Sequence, residues 1–317
     1  MKKRVLRGSA LLGLGHYQPE KVLTNSDIEK LVDTNDEWIV TRTGIKERRV
    51  VEDHDNVVSM GVAAARMALE DAGVDSVDLV IVTSVSTETL SPNNAAKIAV
   101  ELGLDGPGVI DVNTACSGFE YALALADQAI STGASERALV IGSEELTRIT
   151  DWTDRTTCVL TADGAGAAVV GASEEDHISG VVWGSVPELA EAVEVKGQPR
   201  LFSQNGRGVM RWALTGSVKI AKQILAQAEV KADDIDVYAF HQANLRIIEP
   251  LAKGLKARED QIVLKDIEVS GNTSAASVPL ALSKAWHAGE LPRGGRTLLF
   301  GFGGGFTYAG LVADLPA

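Results

Sequence analysis

Four segments in the first half of the chain return in the same order in the second half. "VVSMGVAAARMALEDAGV" (57–74) has apolar residues at helical spacing, and "VDLVIVTSV" (77–85) reads as a buried strand. Residues 117–133 read as a helix ending at Gly133, followed by the strand "RALVIGSE" (137–144). In the second half the series is "WALTGSVKIAKQILAQAEV" (212–230), "IDVYAFHQA" (235–243), "TSAASVPLALSKAWHAG" (273–289) and "RTLLFGFGG" (296–304). Val77-Asp78-Leu79 matches Ile235-Asp236-Val237 at an offset of 158, and Gly133 matches Gly289 at 156. That period is far too long for a solenoid repeat. It predicts two similar α/β halves, residues 1–172 and 173–317, packed on each other across the polar turn "GASEEDHISG" (171–180). The stretch 185–208 has no counterpart in the first half and reads as an inserted loop region.

The offsets also relate chemically capable residues. At 156, Cys116 maps onto Asn272; at 158, His241 maps onto Thr83, at the C-terminal end of its strand. In α/β sheets that end is where ligands bind. Cys116 stands where a strand gives way to a helix, in "DVNTACSGFEYAL" (111–123). Unpaired N–H groups at a helix start stabilise a thiolate, so a lowered thiol pKa is expected there. Cys158, in the apolar "TTCVLTA", reads as a structural filler. His241 in "FHQAN" and Asn272 in "SGNTSAAS" could each be an ordinary satisfied polar group, and the relation to Cys116 is what singles them out. The run "GFGGGF" (301–306) permits close backbone approach and can offer an N–H to an oxyanion. No Gly-Lys-Ser/Thr follows it, so it is not a phosphate-binding P-loop.

Composition limits the function classes. The formal charge of −13 argues against non-specific binding of nucleic acid or membrane, which needs clustered Lys and Arg. Two unpaired cysteines make neither a disulfide framework nor a zinc site, so no metal is expected. The basic start "MKKRVLRGSALLGLGHYQPE" reads as a first strand rather than a signal peptide, and no apolar run reaches the roughly 20 residues of a membrane helix. A soluble, cytoplasmic protein is expected.

Six segments carry a family resemblance: "DEWIVTRTGIKERR" (36–49), "ACSGFEYAL", "TDRTTCVLTADGAGAAV" (153–169), "HQANLRII" (241–248), "GNTSAASVPLAL" (271–282) and "GFGGGFT" (301–307). In this order, over almost the whole chain, they resemble the β-ketoacyl-acyl-carrier-protein synthase III family of the thiolase superfamily. The resemblance implies a thiolase-like α/β fold of five αβαβα layers, built from two duplicated halves and assembled as a homodimer. It implies an acyltransferase in which Cys116 takes an acyl group from coenzyme A, with His241 and Asn272 completing a triad. Malonyl-acyl carrier protein then decarboxylates, and its carbanion attacks the acyl-enzyme to start a fatty acid. His241 and Asn272 would hydrogen-bond the malonyl thioester oxygen, and the N–H groups of Cys116 and Gly304 would form the oxyanion hole. Acyl-CoA would be a substrate, with no permanently bound cofactor. By the same resemblance Trp38, Arg42 and Arg155 would hold coenzyme A and Asn244 its pantetheine. Arg246 and Lys253 match carrier-docking positions, and Lys256 falls with them at i, i+7 and i+10 on one face of a predicted helix.

The match departs from the family pattern at three places. Ser91 stands where relatives often carry a bulky aromatic reaching into the partner's acyl pocket, Met210 replaces an aromatic, and "TADGAGA" (161–167) lacks a Phe-Gly before its Asp. These leave the primer open. A specialised relative, priming polyketides or transferring the acyl group to an oxygen or nitrogen acceptor, is the alternative. A non-catalytic acyl-CoA binder would not need all three triad residues, and a papain-like hydrolase would lack the duplication.

Overall fold

The computed structural model describes residues 7–317. The basic start, residues 1–6, lies outside the described residues. Strands β1 (Gly8–Tyr17), β2 (Leu79–Thr83), β3 (Gly108–Val112), β4 (Arg137–Glu145) and β5 (Asp163–Ser173) form one sheet in the order β1-β5-β4-β2-β3. Strands β6 (Ile178–Ser185), β7 (Val237–Phe240), β8 (Ile262–Val263), β9 (Arg296–Phe302) and β10 (Thr307–Asp314) form the other, in the order β6-β10-β9-β7-β8. Adding five to each label of the first order gives the second. The sense of pairing matches too. In each sheet the first two pairings are antiparallel and the last two parallel.

The helices of eight or more residues are α1 (Asp36–Thr43), α2 (Val57–Ala72), α3 (Asn94–Leu102), α4 (Gly118–Ser131), α5 (Gly206–Thr215), α6 (Ser217–Gln227), α7 (Leu245–Gly254) and α8 (Ser277–His287). Side-chain alternation sorts them into layers. Along β4, Ala138 and Val140 face one core while Leu139 and Ile141 face another. Along β7, Val237 and Ala239 face the first of these cores, and Tyr238 and Phe240 face a third. The shared core holds Phe119 and Leu123 of α4 and Val278 and Leu282 of α8, so these two helices are sandwiched between the sheets. Helices α2 and α3 cover the outer face of the first sheet, and α5, α6 and α7 that of the second. The result is five layers, αβαβα. The inner strands β2, β4, β5, β7 and β9 are buried on both faces, which is why they read as almost continuous apolar runs. Each such fully buried Leu, Ile, Val or Phe is worth roughly 1.5–3 kcal/mol relative to exposure.

Two expectations need correction. The helix expected over 212–230 is two helices, α5 and α6, parted at Gly216, where a Cβ would stand 2.8 Å from the Trp212 indole. The inserted stretch 185–208 is an ordered device rather than an irregular loop. It makes a helical turn (Pro187–Ala192) and a hairpin pairing Val193–Lys196 with Leu201–Gln204.

Candidate active site

Two matching turns lead into the central helices. Residues 113–118 read NTACSG and residues 272–277 read NTSAAS. Each forms a short 3₁₀ turn, Ala115–Ser117 or Ser274–Ala276, opened by a non-glycine residue in the left-handed region: Ala115 at φ 49° and Ser274 at φ 48°. Such a backbone costs of order 1–3 kcal/mol and persists where the surroundings enforce it. The offset between the turns is therefore 159. Cys116 corresponds to Ala275 and Asn272 to Asn113, which overturns the expected equivalence of Cys116 with Asn272. An offset of 156 holds only at the far ends, Gly133 and Gly289, because α4 has 14 residues and α8 has 11, nearly one turn fewer. The match of His241 to Thr83 stands: Thr83 pairs with Gly142 on β4, and the His241 N–H donates to Phe300 O on β9.

Cys116 is buried at the head of α4. Its Sγ receives a hydrogen bond from Ser274 Oγ at 3.4 Å. A Cβ on Gly303 would stand 2.5 Å from Cys116 Cβ and 2.6 Å from Sγ, so only glycine lets β9 approach this close. The lowered pKa expected for the thiol is not found. Burial pushes it up to about 11, the Glu144 charge adds to the rise, and the hydrogen bond from Ser274 offsets only part of it. The thiol is thus neutral at neutral pH.

His241 is buried just past β7, with its ring edge-on to Phe302 (centroids 6.3 Å apart). Its Nδ1 lies 2.7 Å from Ser277 Oγ, which also accepts the Gln242 N–H at 3.2 Å. That leaves the hydroxyl proton for Nδ1, and the network assigns the ring hydrogen to Nε2. Burial lowers the imidazole pKa to about 3, so the ring is neutral and Nε2 is an uncharged donor. Asn272 is held by its backbone, N–H to Leu160 O at 2.9 Å and O from Ala162 N–H at 3.0 Å. Its Oδ1 accepts the Ser274 N–H at 2.9 Å, which leaves the Nδ2 hydrogens free to donate.

Cys116, Asn272, Ser274 and Gly304 line one cleft of about 370 Å³. Val193, Val195 and Phe202 of the inserted hairpin wall it, so the segment without a counterpart in the first half shapes the site. His241 is not part of this lining; its ring is held by Ser277. Ser274, Ser277 and Glu144 were not singled out by the sequence. The hydroxyls of "NTSAAS" beside Asn272 were the signal available for the first two.

The remaining candidates lie apart from the cleft. Trp38, at the start of α1, has the Arg42 guanidinium 4.8 Å and the Arg155 guanidinium 5.1 Å from its ring centroid. Arg155 also donates to Asp33 O at 2.7 Å. Asn244 caps α7, its Oδ1 accepting the Arg246 N–H at 2.9 Å. Arg246 and Lys253 flank a groove with Met210 and Leu214. Lys256 does not share their helix face. The helix ends at Gly254, and Lys256 has φ 61° in the turn beyond it.

A duplicated five-layer α/β fold, with a cysteine at the head of one central helix facing an asparagine and serine before the other, defines a thiolase-type protein. The comparisons narrow this. Family models for 3-oxoacyl-[acyl-carrier-protein] synthase III match residues 110–187, and for its C-terminal part residues 225–315. The chain is 48% identical to β-ketoacyl-[acyl-carrier-protein] synthase III 4 of Streptomyces coelicolor, over 98% of this chain and 99% of that protein. A crystal structure of the priming β-ketosynthase from the R1128 polyketide pathway superposes with a TM-score of 0.97 at 38% identity, covering 100% of this chain and 98% of that one. The synthase III of Aquifex aeolicus gives 0.92 at 38% identity, covering 97% and 100%. The chain belongs to the 3-oxoacyl-[acyl-carrier-protein] synthase III family.

Proposed function

We propose that the protein is a β-ketoacyl-acyl-carrier-protein synthase III, joining an acyl-CoA primer to malonyl-acyl carrier protein by decarboxylative condensation and so initiating fatty-acid synthesis. The observation that carries this is the meeting of Cys116, Asn272 and Gly304 in one cleft, in a chain 48% identical to a named synthase III. Cys116 Sγ attacks the primer thioester, and coenzyme A leaves with the C–S electron pair. The N–H groups of Cys116 and Gly304, both in the lining of the cleft, receive the oxyanion. In the second half-reaction the malonyl C–C bond breaks and its pair becomes an enolate, which His241 Nε2–H and Asn272 Nδ2–H stabilise. Both donors are uncharged, so neither gives its proton to the enolate. The enolate attacks the acyl carbon and the Cys116 thiolate is released, a ping-pong sequence.

Trp38 with Arg42 and Arg155 is the coenzyme A platform, the two guanidinia swinging aside for the adenine, and Asn244 keeps its Nδ2 for the pantetheine. Arg246, Lys253 and Lys256, which make no ion pair among the described residues, suit an acidic carrier protein. The homodimer finds support at β3, an edge strand with Gly108–Asp111 exposed, and in the nearby Leu90, which is 93% exposed. The chemistry needs no resident cofactor or metal, and its soluble substrates suit the cytoplasm. Among the described residues no helix is long and apolar enough to cross a membrane. The polyketide structure's TM-score of 0.97 favours a second reading, priming of a polyketide, with the same chemistry on another primer.

The test adds malonyl-carrier protein to the protein pre-incubated with acyl-CoAs and analyses the carrier by mass. A β-ketoacyl-carrier product is expected, and the best primer separates the two pathways. An acylated protein that passes its acyl group on with no loss of carbon dioxide would overturn condensation in favour of simple acyl transfer.

A further inference from the structure

Asn272 sits on no long element. It lies between the helical turn Ile267–Ser270 and the 3₁₀ turn Ser274–Ala276, and a single bridge to Thr161 fixes its backbone. The chain leading to the other side of that bridge, residues 151–160, is made of turns. An amide that has to meet a developing enolate within about 0.5 Å needs support from outside such segments.

Arg48 provides it. This residue stands in the short strand Glu47–Arg49, paired with Val22–Thr24, and is wholly buried. Its Nη1 donates to Asn25 Oδ1 at 2.8 Å and to Leu23 O at 3.2 Å, and its Nη2 donates to Val159 O at 2.9 Å. Val159 precedes Leu160, whose carbonyl accepts the Asn272 N–H. The base of the side chain bears on the other partner of the bridge. A Cβ on Gly271, at φ 69°, would stand 3.0 Å from Arg48 Cβ and 2.8 Å from Ala162 Cβ. One side chain thus packs on both chains that meet at Thr161 and Asn272.

The acceptors of Arg48 are all neutral oxygens, and no carboxylate pairs with it among the described residues. Burying a cation in this way is costly, so a neutral side chain would serve if packing were all the position required. What arginine adds is a rigid fork of donors. The same network runs on to the platform of α1. Asn25 donates from Nδ2 to Asp36 Oδ1 at 2.7 Å and to Ile45 O at 2.8 Å, and Asp36 opens α1 two residues before Trp38.

We propose that Arg48 is a positioning residue for Asn272, clamping the Thr161–Asn272 bridge from both sides and linking it through Asn25 to the helix that carries Trp38. Arg48 is not in the lining of the cleft, so it acts only through the groups it holds. Its effect falls on the half-reaction that uses the Asn272 amide. Cys116 and the N–H groups proposed for the oxyanion rest on other supports, the head of α4 and the turn Gly304–Phe306.

The inference rests on the synthase reading for the role of Asn272, and its test separates the two. Acylation of Cys116 by acyl-CoA and condensation with malonyl-carrier protein are each timed for wild type, Arg48→Lys, Asn272→Ala and the double variant. Lysine keeps the charge but lacks the fork. Arg48→Lys is expected to lower the maximal condensation rate about tenfold or more at unchanged KM for the malonyl carrier, and to change acylation less than about twofold. In the Asn272→Ala background the same substitution is expected to cost less than about twofold, because no amide is left to place. Equal losses in both half-reactions, or a full loss added to that of Asn272→Ala, would overturn the positioning role. Should Arg48→Lys fail to fold, Asn25→Ala frees Nη1 from one acceptor, and a smaller loss confined to condensation is expected. A loss in Asn25→Ala spread over both steps would overturn the proposal.

Hydrogen exchange followed by mass reads the clamp without any substrate. Faster exchange is expected in the variants over residues 159–162 and 271–274, with residues 111–123 unchanged. Unchanged exchange at the bridge would overturn the clamp whatever the activity. That result with condensation intact in wild type would leave the synthase reading standing, and faster exchange at the bridge in a protein that never condenses would do the reverse.

Discussion

Buried acids set much of the behaviour of this molecule at the residue scale. Glu120, one turn past Cys116 on α4, is wholly buried with neither carboxylate oxygen hydrogen-bonded, and burial pushes its pKa to about 8. The unfolded chain releases that proton near 4.5, the folded protein only near 8. Between those values the folded state binds the extra proton, so Glu120 makes folding less favourable as pH rises through this window, by on the order of a few kcal/mol. Glu120→Gln is expected to match wild type at pH 5 and to melt several degrees higher at pH 8, read by thermal unfolding at both values. Equal melting shifts at the two pH values would show that Glu120 finds a partner when ionised. Such residues were hard to read in the sequence. Cys116, His241 and Asn272 stood out because rare or polar types sit at element ends. Ser274 is a common type, and what matters about it is a contact with Cys116 of the other half, 158 residues away in sequence.

Among elements, the duplication was legible because strand and helix periods repeat, and because caps such as Gly133 and Gly289 mark matching ends. What it could not supply was the offset at the functional turn. One extra turn of α4 moves the equivalence by three residues, which turned a supposed Cys116–Asn272 match into Cys116–Ala275 and Asn272–Asn113. The site is therefore asymmetric within a symmetric frame: the first turn supplies a thiol, and the second supplies an amide and a hydroxyl. Helix α7 shows a boundary error of the same kind, since periodicity ran on past Gly254 and carried Lys256 onto a face it does not occupy. Arg246 in the first turn of α7 remains exposed beside the Met210 groove. Arg246→Glu is expected to raise the KM for malonyl-carrier protein about tenfold, more at low salt, while acylation by acyl-CoA is unchanged. Equal losses in both half-reactions would contradict a docking role.

At the scale of the whole molecule, each sheet places the ends of its parallel strands toward the central helices' heads, and the two halves meet there. That is why residues from both converge on one cleft. Strand β3 leaves the first sheet open at one edge, with Val109 39% and Ile110 43% exposed. A second copy pairing along this edge would cover them. Ile110→Lys is expected to convert a particle with the mass of two chains into one with the mass of a single chain, measured by light scattering behind size exclusion. A wild-type protein of single-chain mass at micromolar concentration would contradict the dimer. Lysine at an edge strand opposes strand addition without disturbing the core.

The central claim is that Cys116 carries the acyl group, and intact-protein mass after incubation with an acyl-CoA tests it most directly. One acyl increment is expected per chain, located by peptide mapping to residues 111–123, and none in Cys116→Ala, whose small side chain the twin turn already accepts at Ala275. An adduct that persists in Cys116→Ala, or its absence from wild type with every primer offered, would contradict the account.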